Sequence, residues 1–323
     1  AVRRHCAPVL GLEPHAPPEE YAARRRALGA AEANARLLRA AGVSSMLIDT
    51  GHRAADILDC PGMADRAGVP CWEVVRIEAV FEECADADAP LSAFAETLAA
   101  RAAQAVGLKS IIAYRASFDI AQTRPEPAAV AAAMDAWRRR RAEGPARLED
   151  PVLLRHALWV GLDICAERQF PLQLHVGFGD LDIAMHRCDP TVFAPFLAAA
   201  EARGVPVTLL HCYPFEREAA WLAEVYSNVF FDVGAVLNYT GPSAVRVLRD
   251  AMEMGPFSKQ LYSSDAFGLA ELHHLGRVQF ETALKRVLSD WIAAGDCTLR
   301  EADRIAQMIA AGNARRIYPL PPG

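Results

Sequence analysis

The sequence predicts an α/β fold in which a parallel sheet, rolled toward a barrel, is covered by helices. Three observations carry this. Short apolar runs alternate with helical stretches along most of the 323 residues. The runs are continuously apolar rather than alternating, as in strands buried on both faces. Three of them deliver a polar side chain to a sharp turn: His175 in QLHVGFGD, His211 in LLHCYP and Asp265 in SSDAFG. The C-terminal ends of successive strands are where α/β barrels keep their chemistry.

Residues 16–41 place Ala, Leu, Arg and Glu at helical spacing. Pro17 and Pro18 stand before the first turn and Gly42 after the last, and this predicts two short helices, the second over 30–41. The first strand is expected over 45–51, and a short helix leads to the second over 69–81, which carries Arg76 and Glu78. A helix over 91–105 precedes the third strand, 107–115, with Lys109, and residues 128–168 read as two helical segments broken near Gly144 and Pro145. Strands four to seven are expected over 172–176, 205–210, 229–236 and 260–264. Helices follow over 190–203, 216–225, 242–254 and 270–294, and a helical pair over 299–311 and 313–318 ends the chain. Seven strands preceded by helices leave a closed eight-strand barrel without its first strand. The chain opens on Ala1 rather than Met, and the missing strand is expected upstream of it. One domain is expected over 1–323, with 1–43 a helical segment before the first visible strand.

A formal net charge of −6 gives no electrostatic footprint for nucleic acid or an anionic membrane. The one dense basic run, Arg138 to Arg141, lies in an Ala-rich helical stretch and reads as a solvated face. Eight scattered cysteines without C-x-x-C pairs favour a reducing cytoplasm. No window is apolar and long enough to predict a membrane span. The expected partner is a small-molecule substrate.

Histidine is the usual imidazole ligand of zinc and similar ions, and a carboxylate can complete such a site. His175, His211 and Asp265 suit that role because each caps a strand on one rim. Any one of them alone would read as a satisfied histidine or a helix-capping aspartate; three at equivalent positions reverse that reading. Lys109 reads as a bridging ligand, a cation for a substrate carboxylate, or a lysine paired with an acid such as Glu78. Arg115 and Tyr114 are in the same position, an arginine fork being well suited to a carboxylate. Glu78 is a partner for Arg76 or an acid on the rim, and Asp182 a helix cap. Glu271 and His274 follow Asp265 closely and read as substrate contacts or as a plain helix start. His52 reads as a solvated loop histidine.

With DTG at Asp49 to Gly51, RIE at Arg76 to Glu78, GLKSIIAYR from Gly107 and GNARRIY from Gly312, these motifs resemble the amidohydrolase superfamily. The resemblance is to its amidohydrolase-related, decarboxylase-like branch, and within it to the hydrolase domain fused to glutamine-synthetase-like domains in nodulin-type proteins. It implies a (β/α)8, TIM-like barrel. It also implies a metal site with a His-x-His pair from the first strand, His175 from the fifth and Asp265 from the eighth. His211 falls at the sixth-strand position, a ligand in some members and a water-activating or carbonyl-polarising residue in others. The His-x-His pair is absent from this chain. His5 is followed by Cys6 and Ala7, so the pair is expected upstream, with a degenerate motif at His5 as the alternative.

The resemblance therefore implies a metal-dependent hydrolase acting on a small amide or related C–N bond. The cofactor would be a divalent ion, zinc or else manganese. Asp265 and His211 would be catalytic, His175, Asp265 and His211 the metal ligands, and Lys109, Arg115 and Glu271 the substrate contacts. Two alternatives stand beside it: a decarboxylase on the same scaffold, and a non-catalytic barrel that has lost its first-strand ligands. Relatives of this branch are often oligomeric, which leaves a homo-oligomer open.

Overall fold

The computed structural model describes residues 1–321. Six strands, β1 (Met46–Asp49), β2 (Cys71–Arg76), β3 (Gly107–Ser110), β4 (Leu172–Val176), β5 (Val207–His211) and β6 (Val229–Phe231), form one sheet in the order of the sequence. Every pairing is parallel. Sequential parallel strands require a crossover between each pair, and helices supply these connections. Leu172, Leu174, Val207 and Leu209 are fully or almost fully buried in the main core, with Phe193, Phe196, Phe81 and Trp137 of the surrounding layer. Burying a side chain of this size stabilises by about 1.5–3 kcal/mol. This is why the strands are continuously apolar.

Three expected strands end early. The run 69–81 leaves the sheet at Arg76 and continues as the helix Ile77–Glu83; the run from 107 stops at Ser110, before the helical turn Ile112–Arg115; and the run from 229 stops at Phe231, before the helix Gly234–Thr240. In each, apolar residues carry on past the strand into a helix that packs under the rim, and hydrophobicity alone cannot mark the change. The seventh strand, 260–264, is reduced to one parallel bridge between Gln260 and Phe231. Leu261 N donates to Phe231 O at 2.8 Å, and the chain then turns away toward Asp265. The sheet is thus six-stranded among the described residues, where seven strands were expected. The helical start is as expected: Pro18–Ala40 is kinked at Gly29, whose φ of +77° is helical for neither segment. Residues Val2–Val9 form a further helix.

Alternation along the strands sorts the inner face of the sheet. Asp49 pairs in register with Val74, Arg76 with Lys109, Lys109 with Gln173, and Gln173 with Thr208. Register partners share a face, as do residues two apart, so Asp49, Arg76, Lys109, Gln173 and His175 all point inward. Tyr318 closes the lower end of this face. Gln173 Nε2 donates to its hydroxyl at 2.8 Å, and Thr208 Oγ1 lies 3.4 Å from it. The chemistry is therefore confined to the upper ends of the strands.

Candidate functional site at the strand ends

His175 is the inward-facing residue near the end of β4. The backbone behind it turns at Gly177, with φ +70°, and a Cβ there would lie 2.3 Å from Tyr213 O. A Cβ on Gly179 would lie 2.1 Å from the Tyr114 hydroxyl. The two glycines of QLHVGFGD thus let the turn after β4 pass against the turn after β5 and over Tyr114. The Tyr114 ring then packs on the His175 ring with centroids 4.4 Å apart.

His211 is aimed differently. It pairs in register with Val176, which faces the helices and is fully buried, so strict alternation would send the imidazole outward. A φ of +71° at His211, followed by +58° at Cys212, breaks the alternation. The ring comes to 4.8 Å from that of His175, centroid to centroid. A non-glycine residue in the left-handed region is strained by about 1–3 kcal/mol and persists where its surroundings impose it. Asp232 imposes it here. This carboxylate, 1% exposed, accepts on Oδ1 from His211 N at 3.1 Å, Gly234 N at 2.7 Å and Ser263 Oγ at 2.8 Å. Asp265, also at positive φ (+46°), brings Oδ2 to 3.7 Å from His211 Nε2.

Three of the four ring nitrogens of these imidazoles lack a partner among the described residues. His175 Nε2 and both ring nitrogens of His211 are buried without a hydrogen bond among the described residues. Such orphans are costly in a packed interior and mark a place where a ligand belongs. Burial is the main force pushing the His175 pKa well below its ordinary value; His211, Lys109 and Arg76 push it the same way. His175 is therefore a neutral imidazole with a lone pair to give.

Beside the histidines lies a charged cluster. Asp49 Oδ1 accepts from Gly51 N at 2.9 Å, and Oδ2 accepts from Arg76 Nε at 2.9 Å and from Arg76 Nη2; Lys109 Nζ lies 3.3 Å from the same oxygen. Burial would raise the Asp49 carboxyl, but Lys109 and then Arg76 outweigh it and hold the group below the usual range. Glu78 joins neither cation. It is buried, accepts from Ser110 Oγ at 2.6 Å and Ile111 N at 3.0 Å, and burial raises its pKa. The expected pairings of Arg76 and Lys109 with Glu78 thus both give way to Asp49.

Two expected substrate contacts are engaged elsewhere. Arg115 Nη1 donates to Glu82 Oε1 at 2.7 Å and to Leu148 O at 3.2 Å, tying the helical layer together. Glu271 accepts from Arg25 Nε at 2.6 Å and Tyr21 OH at 2.9 Å, and so locks the helix Pro18–Ala40 to the helix Ala270–Ala294. His274 serves the same joint through Ala40 O, 3.0 Å from Nδ1. Asp182, expected as a cap, pairs with Arg147 at 2.7 Å. His52 stacks edge-on against Phe267 at 4.7 Å rather than lying free in solvent. His5 lies in the helix Val2–Val9 and, with Arg4, His15 and Arg286, lines a cavity of about 240 Å³ to which none of the strand-end residues contributes. Asp232 and the Asp49–Arg76 pair are the elements that sequence reasoning did not single out. The motifs DTG and RIE contained the second, but its pairing depends on strand register.

Two imidazoles with unpartnered nitrogens and a nearby carboxylate are the right donors for a divalent ion. Their spacing is gathered rather than closed, since no group of three or more His, Cys, Asp or Glu side chains among the described residues stands close enough to enclose an ion. No helix among them is long and apolar enough to cross a membrane.

A parallel α/β sheet with histidines, an aspartate and buried cations at its C-terminal edge defines an enzyme-like site of the barrel class. Comparison with known proteins then fixes the family: the amidohydrolase family model matches residues 88–320, most of the chain, and the chain belongs to the amidohydrolase superfamily. Protein fluG of Emericella nidulans is 32% identical over 223 residues, covering 67% of this chain and 26% of that protein, so this chain spans about a quarter of its relative's length. A Lactobacillus casei protein proposed to be a metal-dependent hydrolase superposes with a TM-score of 0.83 at 30% identity, over 94% of this chain and 80% of that one. The uronate isomerase of Bacillus halodurans shares the fold, with a TM-score of 0.62 at 16% identity over 97% of this chain and 74% of its own.

Proposed function

We propose that this chain is a metal-dependent hydrolase of the amidohydrolase type, acting on a small amide or related C–N bond. The observation that carries the reading is the pair of buried imidazoles, His175 and His211, whose rings lie 4.8 Å apart with three of their four nitrogens unpartnered among the described residues, and with Asp265 beside His211. The Lactobacillus casei protein, similar over 94% of this chain, supports it. His175, Asp265 and His211 would hold a divalent ion, zinc being the one best suited to imidazole and carboxylate donors, with manganese the second choice. Such an ion supplies Lewis acidity toward a carbonyl and makes a water molecule nucleophilic at neutral pH.

The side chains then divide the remaining work. Asp265, the more exposed member, takes the proton from the attacking water and returns it to the departing nitrogen. His211, held in place by Asp232, polarises the scissile carbonyl. His175, neutral and packed on Tyr114, keeps a fixed lone pair for the ion. Lys109 faces the substrate; Arg115 and Glu271 belong to the scaffold. The test is a panel of small amides incubated with the purified protein loaded with zinc or manganese. Release of amine and carboxylate, abolished by Asp265→Asn, supports hydrolysis. Release of carbon dioxide from carboxylated substrates instead assigns the site to decarboxylation, and loss of neither product with Asp265→Asn contradicts the assignment of that residue.

A further inference from the structure

The cluster Asp49, Arg76 and Lys109 joins one carboxylate to two cations, and the account does not balance. Three nitrogens crowd one oxygen, Asp49 Oδ2, while Oδ1 is taken by Gly51 N. Among the described residues Lys109 Nζ makes no hydrogen bond beyond that charge contact, and Arg76 Nη1 has no partner. The Lys109 side chain is 9% exposed and that of Arg76 13%. The acids of β2 and of the helix that follows it offer no relief: Glu73 accepts from Thr50, and Glu78 is enclosed by Ser110 and Ile111. One positive charge is left over, nearly dry, on the face that carries His175. An unpaired buried charge is destabilising, and it is sustained where the counter-charge arrives with a ligand.

We infer that Arg76 and Lys109 together bind a carboxylate of the substrate, so that the site takes small amides bearing a free carboxylate. The inference rests on the reading of the strand ends as the active site. Charge balance selects a carboxylate over phosphate, since a monoanion brings the cluster to neutrality and a dianion leaves it negative. The donors suit it as well: Arg76 presents a planar edge and Lys109 a compact point charge with free N–H directions. Strand register puts both cations on the sheet face that carries His175, which places the bound carboxylate on the same side of the sheet as the reacting group. The competing reading makes the triad a staple joining β1, β2 and β3, with no ligand.

The test is a binding titration of the whole protein with matched probes: N-acetylglycine against N-acetylglycinamide, glutaramate against glutaramide, and inorganic phosphate. Each carboxylate is expected to bind about tenfold or more tighter than its neutral partner, with phosphate weaker than both carboxylates. Lys109→Gln should remove that preference and leave the neutral probes unchanged, whereas Lys109→Arg should keep it. Asp49→Asn raises the unbalanced charge to two and should tighten carboxylate binding, which a staple would not do. Equal binding within both pairs, a preference that survives Lys109→Gln, weakened carboxylate binding in Asp49→Asn, or phosphate as the tightest probe would each overturn the inference. The titration reads no hydrolysis. Carboxylate binding without turnover counts against the hydrolase reading alone, and turnover of amides without carboxylate preference counts against this inference alone.

Discussion

Replacing Glu271 by Gln tests whether this residue belongs to the scaffold or to the substrate. Its carboxylate is 4% exposed and accepts three hydrogen bonds, from Arg25 Nε at 2.6 Å, Arg25 Nη2 at 3.2 Å and Tyr21 OH at 2.9 Å. Removing one partner of a fully buried ion pair costs about 3–5 kcal/mol. The Arg25 side chain is 26% exposed, and the amide of Gln still accepts one bond, so solvent screening and that bond bring the expected cost to about 2 kcal/mol. The loss falls on the joint between the helices Pro18–Ala40 and Ala270–Ala294. Amide hydrogen exchange in residues 18–40 should quicken about thirtyfold, and the melting midpoint should fall by about 3–5 °C for a chain of this size. The pH dependence has a defined sign. Burial would raise the Glu271 pKa, but the Arg25 and Tyr21 bonds outweigh it and the net shift is downward. Its contribution is therefore present above the unfolded glutamate pKa and lost as pH falls through the folded one; Glu271→Gln removes that dependence. Unchanged exchange together with weakened substrate binding would refute the scaffold role and return Glu271 to the site.

Gly177→Ala should destabilise the protein by about 3 kcal/mol, because it adds left-handed strain to a Cβ that would lie 2.3 Å from a backbone oxygen; a melting curve like that of the parent would disprove the close approach. Asp232→Asn should cost about 2 kcal/mol, since one carboxylate oxygen accepts three donors, and should weaken ion binding by releasing His211. An unchanged denaturation midpoint and unchanged ion affinity would contradict it. Burial lowers the pKa of His273 to about 4 and that of His175 well below its ordinary value. Both contributions to stability are complete above the unfolded histidine pKa of about 6.5 and fade as pH falls below it, with a slope of up to about 1.4 kcal/mol per pH unit for each proton. Chemical denaturation of the parent and His273→Gln between pH 7 and 4, where the variant should show the shallower slope, checks this.

The sheet was legible because a strand buried on both faces must be apolar throughout, and β4 and β5 announce themselves in LQLHV and VTLLH. His175 followed from its place at a strand end. That the His175 and His211 rings meet, with Asp265 beside the second, accords with their equivalent positions, but the aim of His211 was not legible: it depends on a backbone angle that Asp232 imposes from just beyond the neighbouring strand. The ion pairs were least legible. Arg76 finds Asp49 because β1 and β2 lie side by side in a particular register, and a carboxylate 27 positions away carries no local signal. Glu271 read as a rim residue because it follows Asp265 so closely. The helix that begins there instead turns it toward Tyr21 and Arg25, residues some 250 positions earlier. Apolar continuity misled at Arg76, Ser110 and Phe231, where the chain leaves the sheet for a helix without a change in hydrophobicity.

If His175 presents a lone pair to a divalent ion shared with His211 and Asp265, the bound metal must depend on that imidazole. Metal analysis of the purified protein and of His175→Ala, after equilibration with zinc and removal of free ion, tests it most directly. About one equivalent is expected on the parent and almost none on the variant, with the same circular dichroism spectrum for both. Equal metal content in the two proteins, or none in either, would contradict it.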